Sequence, residues 1–172
     1  MPRSTLNLDD IELQPRPTAY APKGEAAERY DAKVAFIGAQ LGARKLGYNV
    51  TAIAPGKRAY PFHNHQVNEE VFLILDGSGE LRFGEEVLQI RRGDVIACPA
   101  GGPETAHQIV NTGSEELRYF AVSTRLSPEI AEYPDTGRFG ILAGLAPAAA
   151  GGPRMMMFVG RENETLDYWQ GE

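Results

Sequence analysis

A chain of 172 residues, 42% hydrophobic and 23% charged, is long enough to bury the core of one domain and has the composition of an ordinary soluble protein. Its net charge is −6 and no run of Lys or Arg exceeds two residues, which speaks against nucleic acid as a partner. The single cysteine, Cys98, excludes an internal disulfide framework, and no apolar run approaches the roughly 20 residues a membrane helix needs. With no apolar stretch after Arg3 to act as a signal peptide, a cytoplasmic protein without a membrane partner is expected.

Residues 1–33 are polar and carry Pro2, Pro15, Pro17 and Pro22. They read as an irregular arm, with one helical turn around Glu25 to Tyr30, that wraps over the rest of the molecule or across a partner. From Val34 the texture changes. Val34–Ile37, Lys45–Ala54, Val71–Leu75, Glu80–Phe83, Val87–Ile90, Asp94–Cys98, Thr105–Val110 and Leu117–Ser123 are strand candidates separated by Gly, Pro and Asn turns. Turn signals every 8–12 residues, with no helical period between them, predict an all-β sandwich or barrel occupying residues 34–172. After Ser123, Pro128 to Tyr133 reads as a helical turn, Gly144–Pro153 as a loop and Met155–Val159 as a late strand. The aromatic pair Tyr168-Trp169 reads as an anchor for the C-terminus, with a lid over a pocket as the functional alternative.

The chemistry gathers in two stretches. His63 and His65 stand two apart in an extended segment, so both imidazoles point to one face of a strand. Glu70 follows at the head of the apolar run Val71–Leu75, which ends in the turn Asp76-Gly77-Ser78-Gly79. The second stretch holds Gly93-Asp94, Pro99-Ala100-Gly101, His107 and Asn111, and the chain has no histidine outside these two stretches. His63, His65, Glu70 and His107 make a set of three nitrogens and one oxygen, which suits one divalent ion such as Zn, Mn, Fe or Ni. Four protein ligands leave a position open on a five- or six-coordinate ion, as a catalytic site requires, and the lack of thiolate argues against a structural zinc knot. Cys98, before Pro99, reads as a small buried residue, with a redox or ligand thiol as the alternative.

The two stretches resemble the two motifs of the cupin superfamily, small double-stranded β-helix barrels. The first matches through His63, His65, Glu70 and Gly77, and the second through Gly93, Pro99, Gly101, His107 and Asn111, within a motif core of residues 45–123. The chain departs from the pattern in the spacing of Gly56 from His63 and in the insertion Gly102-Pro103-Glu104-Thr105-Ala106 before His107. The resemblance implies a single cupin barrel with an N-terminal arm and a short C-terminal extension. The whole-chain texture also resembles a bacterial subgroup that carries a sugar-phosphate-isomerase label.

The function expected is metal-dependent action on a small polar molecule, as an isomerase or as an iron dioxygenase. A non-catalytic module that binds a small molecule such as a sugar is the alternative. If Glu70 faces inward, Phe72 and Ile74 do too, and Val71, Leu73 and Leu75 face out. Apolar residues on both faces predict that the outer face is covered by the arm or by a second subunit, so a homodimer is expected.

Overall fold

The computed structural model describes residues 4–18, 21–145 and 154–171. The arm carries β1 (Gln14–Pro15) and the short helix α1 (Glu25–Arg29), and β1 pairs antiparallel with β2 (Ala32–Phe36). The arm therefore lies along its own chain. Arg16 Nη2 donates to the Ala59 carbonyl at 2.7 Å, and Lys57 Nζ donates to the Glu28 carbonyl at 2.5 Å. Lys57 and Arg58 thus tie the arm down, and the first strand longer than two residues, β2, begins at Ala32.

The chain continues through β3 (Leu46–Ile53), β4 (Asn64–His65), β5 (Glu70–Asp76), β6 (Ser78–Phe83), β7 (Glu86–Arg91), β8 (Val95–Cys98), β9 (His107–Val110) and β10 (Leu117–Thr124). It ends in β11 (Glu129–Tyr133), β12 (Arg138–Leu145) and β13 (Arg154–Gly160). The strands form three antiparallel sheets, ordered β1-β2-β3-β10-β5-β8, β7-β6-β9 and β13-β12-β11-β4. The fold is all-β and jelly-roll-like. Its hydrogen bonds do not close one continuous barrel, and isolated bridges at His63–His107 and Arg58–Val110 join the segments instead.

Alternation within the strands makes the core. On β5, Phe72 and Ile74 are buried while Val71 and Leu73 are exposed, as the inward-facing Glu70 predicts. Leu117, Tyr119 and Ala121 on β10 continue the inner row, and Leu81, Ile90 and Ile109 meet it from the other sheet. Each fully buried aliphatic of this kind contributes about 1.5–3 kcal/mol of transfer free energy. Gly77 makes the β5–β6 turn at φ +78°, and a Cβ there would meet the Glu116 carbonyl oxygen at 2.6 Å, so only glycine fits. Asn111 is wholly buried and donates at 2.8 Å to the carbonyls of both Ile53 and Glu115, which makes this motif residue a turn brace.

Several readings of the sequence change. Glu129–Tyr133 is a strand, not a helical turn, because β12 and β4 take up its backbone groups from either side. The strand β12 was not anticipated. Thr105 belongs to a 3-10 turn, Pro103–Thr105, into which the insertion folds, so β9 starts at His107. Tyr168 and Trp169 do not anchor the C-terminus against the described residues: they are 85% and 72% exposed and pack edge-on against each other. Of the expected loop at 144–153, Gly144 and Leu145 end β12 and the remainder lies outside the described residues. Cys98 is 2% exposed within the core cluster, and burial pushes its thiol up to about 12, so it is an inert packing residue. No helix among the described residues is long and apolar enough to cross a membrane.

Candidate metal centre

His65 sits on β4, His63 just before it, Glu70 opens β5 and His107 opens β9. The bridge between His63 and His107, with backbone N–H···O bonds of 3.2 and 2.8 Å in the two directions, fixes the two histidines side by side. All three imidazoles turn Nε2 toward one carboxylate oxygen. From Glu70 Oε2 the distances are 3.8 Å to His63, 3.4 Å to His65 and 3.1 Å to His107. The four ligating atoms lie within 4.8 Å of one another, so the sequence-predicted set is brought together as a group that can hold a metal ion.

The residues fit such an ion. With ligand bonds of about 2.0–2.1 Å, neighbouring donors around an octahedral or tetrahedral centre stand roughly 2.8–3.4 Å apart, a range that His107 and His65 meet at 3.1 and 3.4 Å from Glu70 and that His63, at 3.8 Å, would reach by a small inward shift. His65 Nε2 is buried without a hydrogen-bond partner, a state that costs free energy unless something ligates it. The other ring nitrogens are held from behind. His63 Nδ1 lies 2.9 Å from the Pro61 carbonyl and His107 Nδ1 3.2 Å from the Thr105 carbonyl, which assigns the proton to Nδ1 and leaves Nε2 free to ligate.

Charge is arranged to match. Burial, helped by the neighbouring His107, lowers His63 to about 4, so it is neutral and ready to ligate at pH 7. Burial also depresses His65, but Glu70 and Glu129 outweigh it and raise this imidazole above its ordinary value. For Glu70, burial pushes upward, yet the imidazoles of His107 and His65 beside it prevail and hold the carboxyl well below the usual carboxylate range.

Two site residues were missed in the sequence, and both lie on β11. Glu129 is 5% exposed, and Oε1 stands 3.7 Å from His65 Nδ1. It also accepts from the backbone N–H groups of Val67 and Asn68 and from the Asn68 side chain, bracing the loop that joins His65 to Glu70. Tyr133 stacks beside His63 with ring centroids 6.3 Å apart. Its neighbour Glu132 accepts from Asn64 and Gln66 at 2.7 and 2.9 Å, pinning β4 from outside. The only signal in the sequence was two carboxylates spaced three apart before a tyrosine, which is not distinctive.

The four residues lie in a pocket of about 350 Å³ walled by Tyr60, Pro61, Phe72, Gln108, Tyr119 and Tyr133. Residues 49–123, which include all four, match the family model described as cupin domain. This segment is a cupin domain. The chain also superposes on a sugar phosphate isomerase from the cupin superfamily of Silicibacter pomeroyi with a TM-score of 0.74, 24% identity and 94% of each chain covered. An uncharacterized protein of Methanocaldococcus jannaschii is 33% identical over 72 residues, 42% of this chain and 55% of that protein. Auxin-binding protein 1 of Arabidopsis thaliana is 33% identical over 101 residues, 55% of this chain and 50% of that protein. The chain spans about half the length of these curated relatives. Both Glu129 and Tyr133 fall outside the matched segment.

Proposed function

We propose that the protein is a metal-dependent enzyme that acts on a small polar molecule in the manner of a sugar phosphate isomerase. One observation carries this reading: three Nε2 atoms and one carboxylate oxygen converge in the wall of an accessible pocket, leaving the far side of any bound ion to a ligand. A divalent ion held there would polarise a carbonyl and ease proton removal beside it. The chain itself supplies the surroundings. Phe72 and Tyr119 wall the pocket with apolar ring surface and thin the water around a bound molecule. Burial raises Tyr133, against the opposing charge of Arg138, so its phenol stays protonated and can donate a hydrogen bond to a substrate oxygen. The name of the Silicibacter pomeroyi protein supports the isomerase reading over other cupin chemistry.

A binding module is the second reading. Among the described residues Glu70 is the sole carboxylate in the pocket wall, so apart from the ligands only tyrosine and serine hydroxyls could move a proton. The name of the Arabidopsis relative points the same way. The protein is loaded in turn with Mn(II), Zn(II) and Fe(II). Aldose–ketose interconversion of phosphorylated sugars supports the isomerase, and oxygen uptake with the Fe(II) form alone replaces it with an oxygenase. Tight binding without turnover, unchanged in His107→Ala, leaves the binding module.

The protein is further proposed to be cytoplasmic and to act as a homodimer. Val71, Leu73 and Val95 stand exposed on the outside of β5 and β8, and a second copy is the covering favoured here. Light scattering at micromolar concentration is expected to give twice the chain mass, and a monomer would remove this part of the reading.

A further inference from the structure

A second cavity, of about 320 Å³, adjoins the metal pocket, and the two share Ala59, Tyr60, Pro61 and Tyr133 as a common wall. Three arginines reach it from three separate places. Arg16 comes from the arm just after β1, Arg29 from the end of α1 and Arg138 from the start of β12. In a chain of net charge −6 this is a local concentration of positive charge. The single carboxylate in the lining, Asp135, is already held by Arg82 through two hydrogen bonds of 2.9 and 3.0 Å. Neither Arg29 nor Arg138 has an ion-pair partner among the described residues.

The cavity is also shaped. Arg16 donates to the Ala59 carbonyl and holds its Cζ 4.1 Å from the Tyr60 ring centroid, which anchors the guanidinium at two points and leaves its remaining N–H groups for another acceptor. The Arg138 Nε–H is spent on Thr136 Oγ1 at 3.1 Å, so its two terminal nitrogens are left to donate. Tyr60 and Tyr133 each stand 6.3 Å from the His63 ring, centroid to centroid, so Tyr60 lies between Arg16 and the metal group and Tyr133 lines both cavities.

We propose that this cavity is an anion subsite that takes the phosphate group of a small phosphorylated substrate while the other end of that molecule reaches the metal pocket. The second half of this statement rests on the proposed function, and the first half does not. Guanidinium groups match phosphate bidentately, and three of them present more donors than the two oxygens of a carboxylate can accept.

The test is calorimetric titration with inorganic phosphate at low ionic strength, on metal-loaded and on chelator-treated protein. Binding is expected in both forms. The double substitution Arg29→Gln/Arg138→Gln is expected to weaken it by roughly tenfold or more, because the charge-assisted hydrogen bonds of two guanidinium groups are lost. Both arginines are exposed, so melting temperature and metal content should hold, and Arg138→Gln alone should show part of the loss. No phosphate binding in the parent protein overturns the subsite. Binding that vanishes with the metal but survives the double substitution also overturns it, placing phosphate on the ion and leaving the metal reading intact. Acetate binding as tightly as phosphate overturns the phosphate assignment. Arginine-dependent phosphate binding in a protein that takes up no metal upholds the subsite and removes the proposed function instead.

Discussion

The strands of the matched segment and the C-terminal sheet meet at the metal centre, yet they are built on different rules. In β5 and β10, buried and exposed residues alternate, and the inner row closes a core of Phe72, Ile74, Leu117 and Tyr119. In β13, Met155, Met156, Met157, Phe158 and Val159 are all exposed, whichever way they point. The first region contributes the atoms that can ligate a metal. The second contributes what surrounds them: Glu129 behind His65, Tyr133 beside His63 and Arg138 at the neighbouring cavity. The difference separates the two proposed tasks, with the group that can hold an ion on the strands of the matched segment and the proposed recognition groups on β11 and β12.

The comparison breaks most visibly in stability. Ile74→Ala, at a side chain 1% exposed in the core, should cost about 2–5 kcal/mol in chemical denaturation. Met157→Ala, 64% exposed on β13, should stay within about 0.5 kcal/mol. Equal losses would show the C-terminal sheet to be part of one cooperative core.

Glu129→Gln tests whether the appended sheet tunes the metal group from behind. Metal affinity by competition with a chromophoric chelator should fall roughly 10–100-fold, because His65 loses the carboxylate that orients it. An unchanged affinity would reduce Glu129 to a brace for the Val67–Asn68 loop.

The pH dependence follows from the two unlike histidines. A raised His65 keeps its proton to higher pH, so proton and metal already compete above pH 6.5 and affinity falls on acidification. His63 works differently. Its folded-state value of about 4 lies below the ordinary 6.5, so the unfolded chain takes up a proton that the folded chain refuses, and the metal-free protein should lose stability as pH falls from 6.5 toward 4. A flat affinity profile, or a melting temperature that rises on acidification, would contradict this account.

The smallest effect is expected for Tyr133→Phe, which should leave metal affinity unchanged and lower only turnover or ligand affinity. A loss of metal would make Tyr133 part of the ligand scaffold.

The distinction also explains what was legible in the sequence. His63, His65, Glu70 and His107 were readable because strand periodicity and turn glycines dictate which side chains share a face, and Gly77 and Asn111 sit where the backbone requires them. The inner row of Phe72 and Ile74 followed from the same alternation. β11 was not readable, since five residues with two carboxylates and an initial Pro128 fit a helical turn as well as a strand. Its hairpin with β12 and its long-range pairing with β4 decide the matter, and the second brings Glu129 behind His65. The exposure of Tyr168 and Trp169 was hidden for the same reason, because burial of an aromatic depends on what lies opposite it.

The central claim is that these four residues bind one divalent ion. Elemental analysis of protein purified without added metal, with anomalous scattering from its crystals, tests it most directly. The account predicts close to one divalent ion per chain, lying between His63, His65, Glu70 and His107, and loss of most of it in His65→Ala. A metal-free protein that also fails to take up added Zn(II), Mn(II), Fe(II) or Ni(II), or full occupancy in His65→Ala, would contradict it.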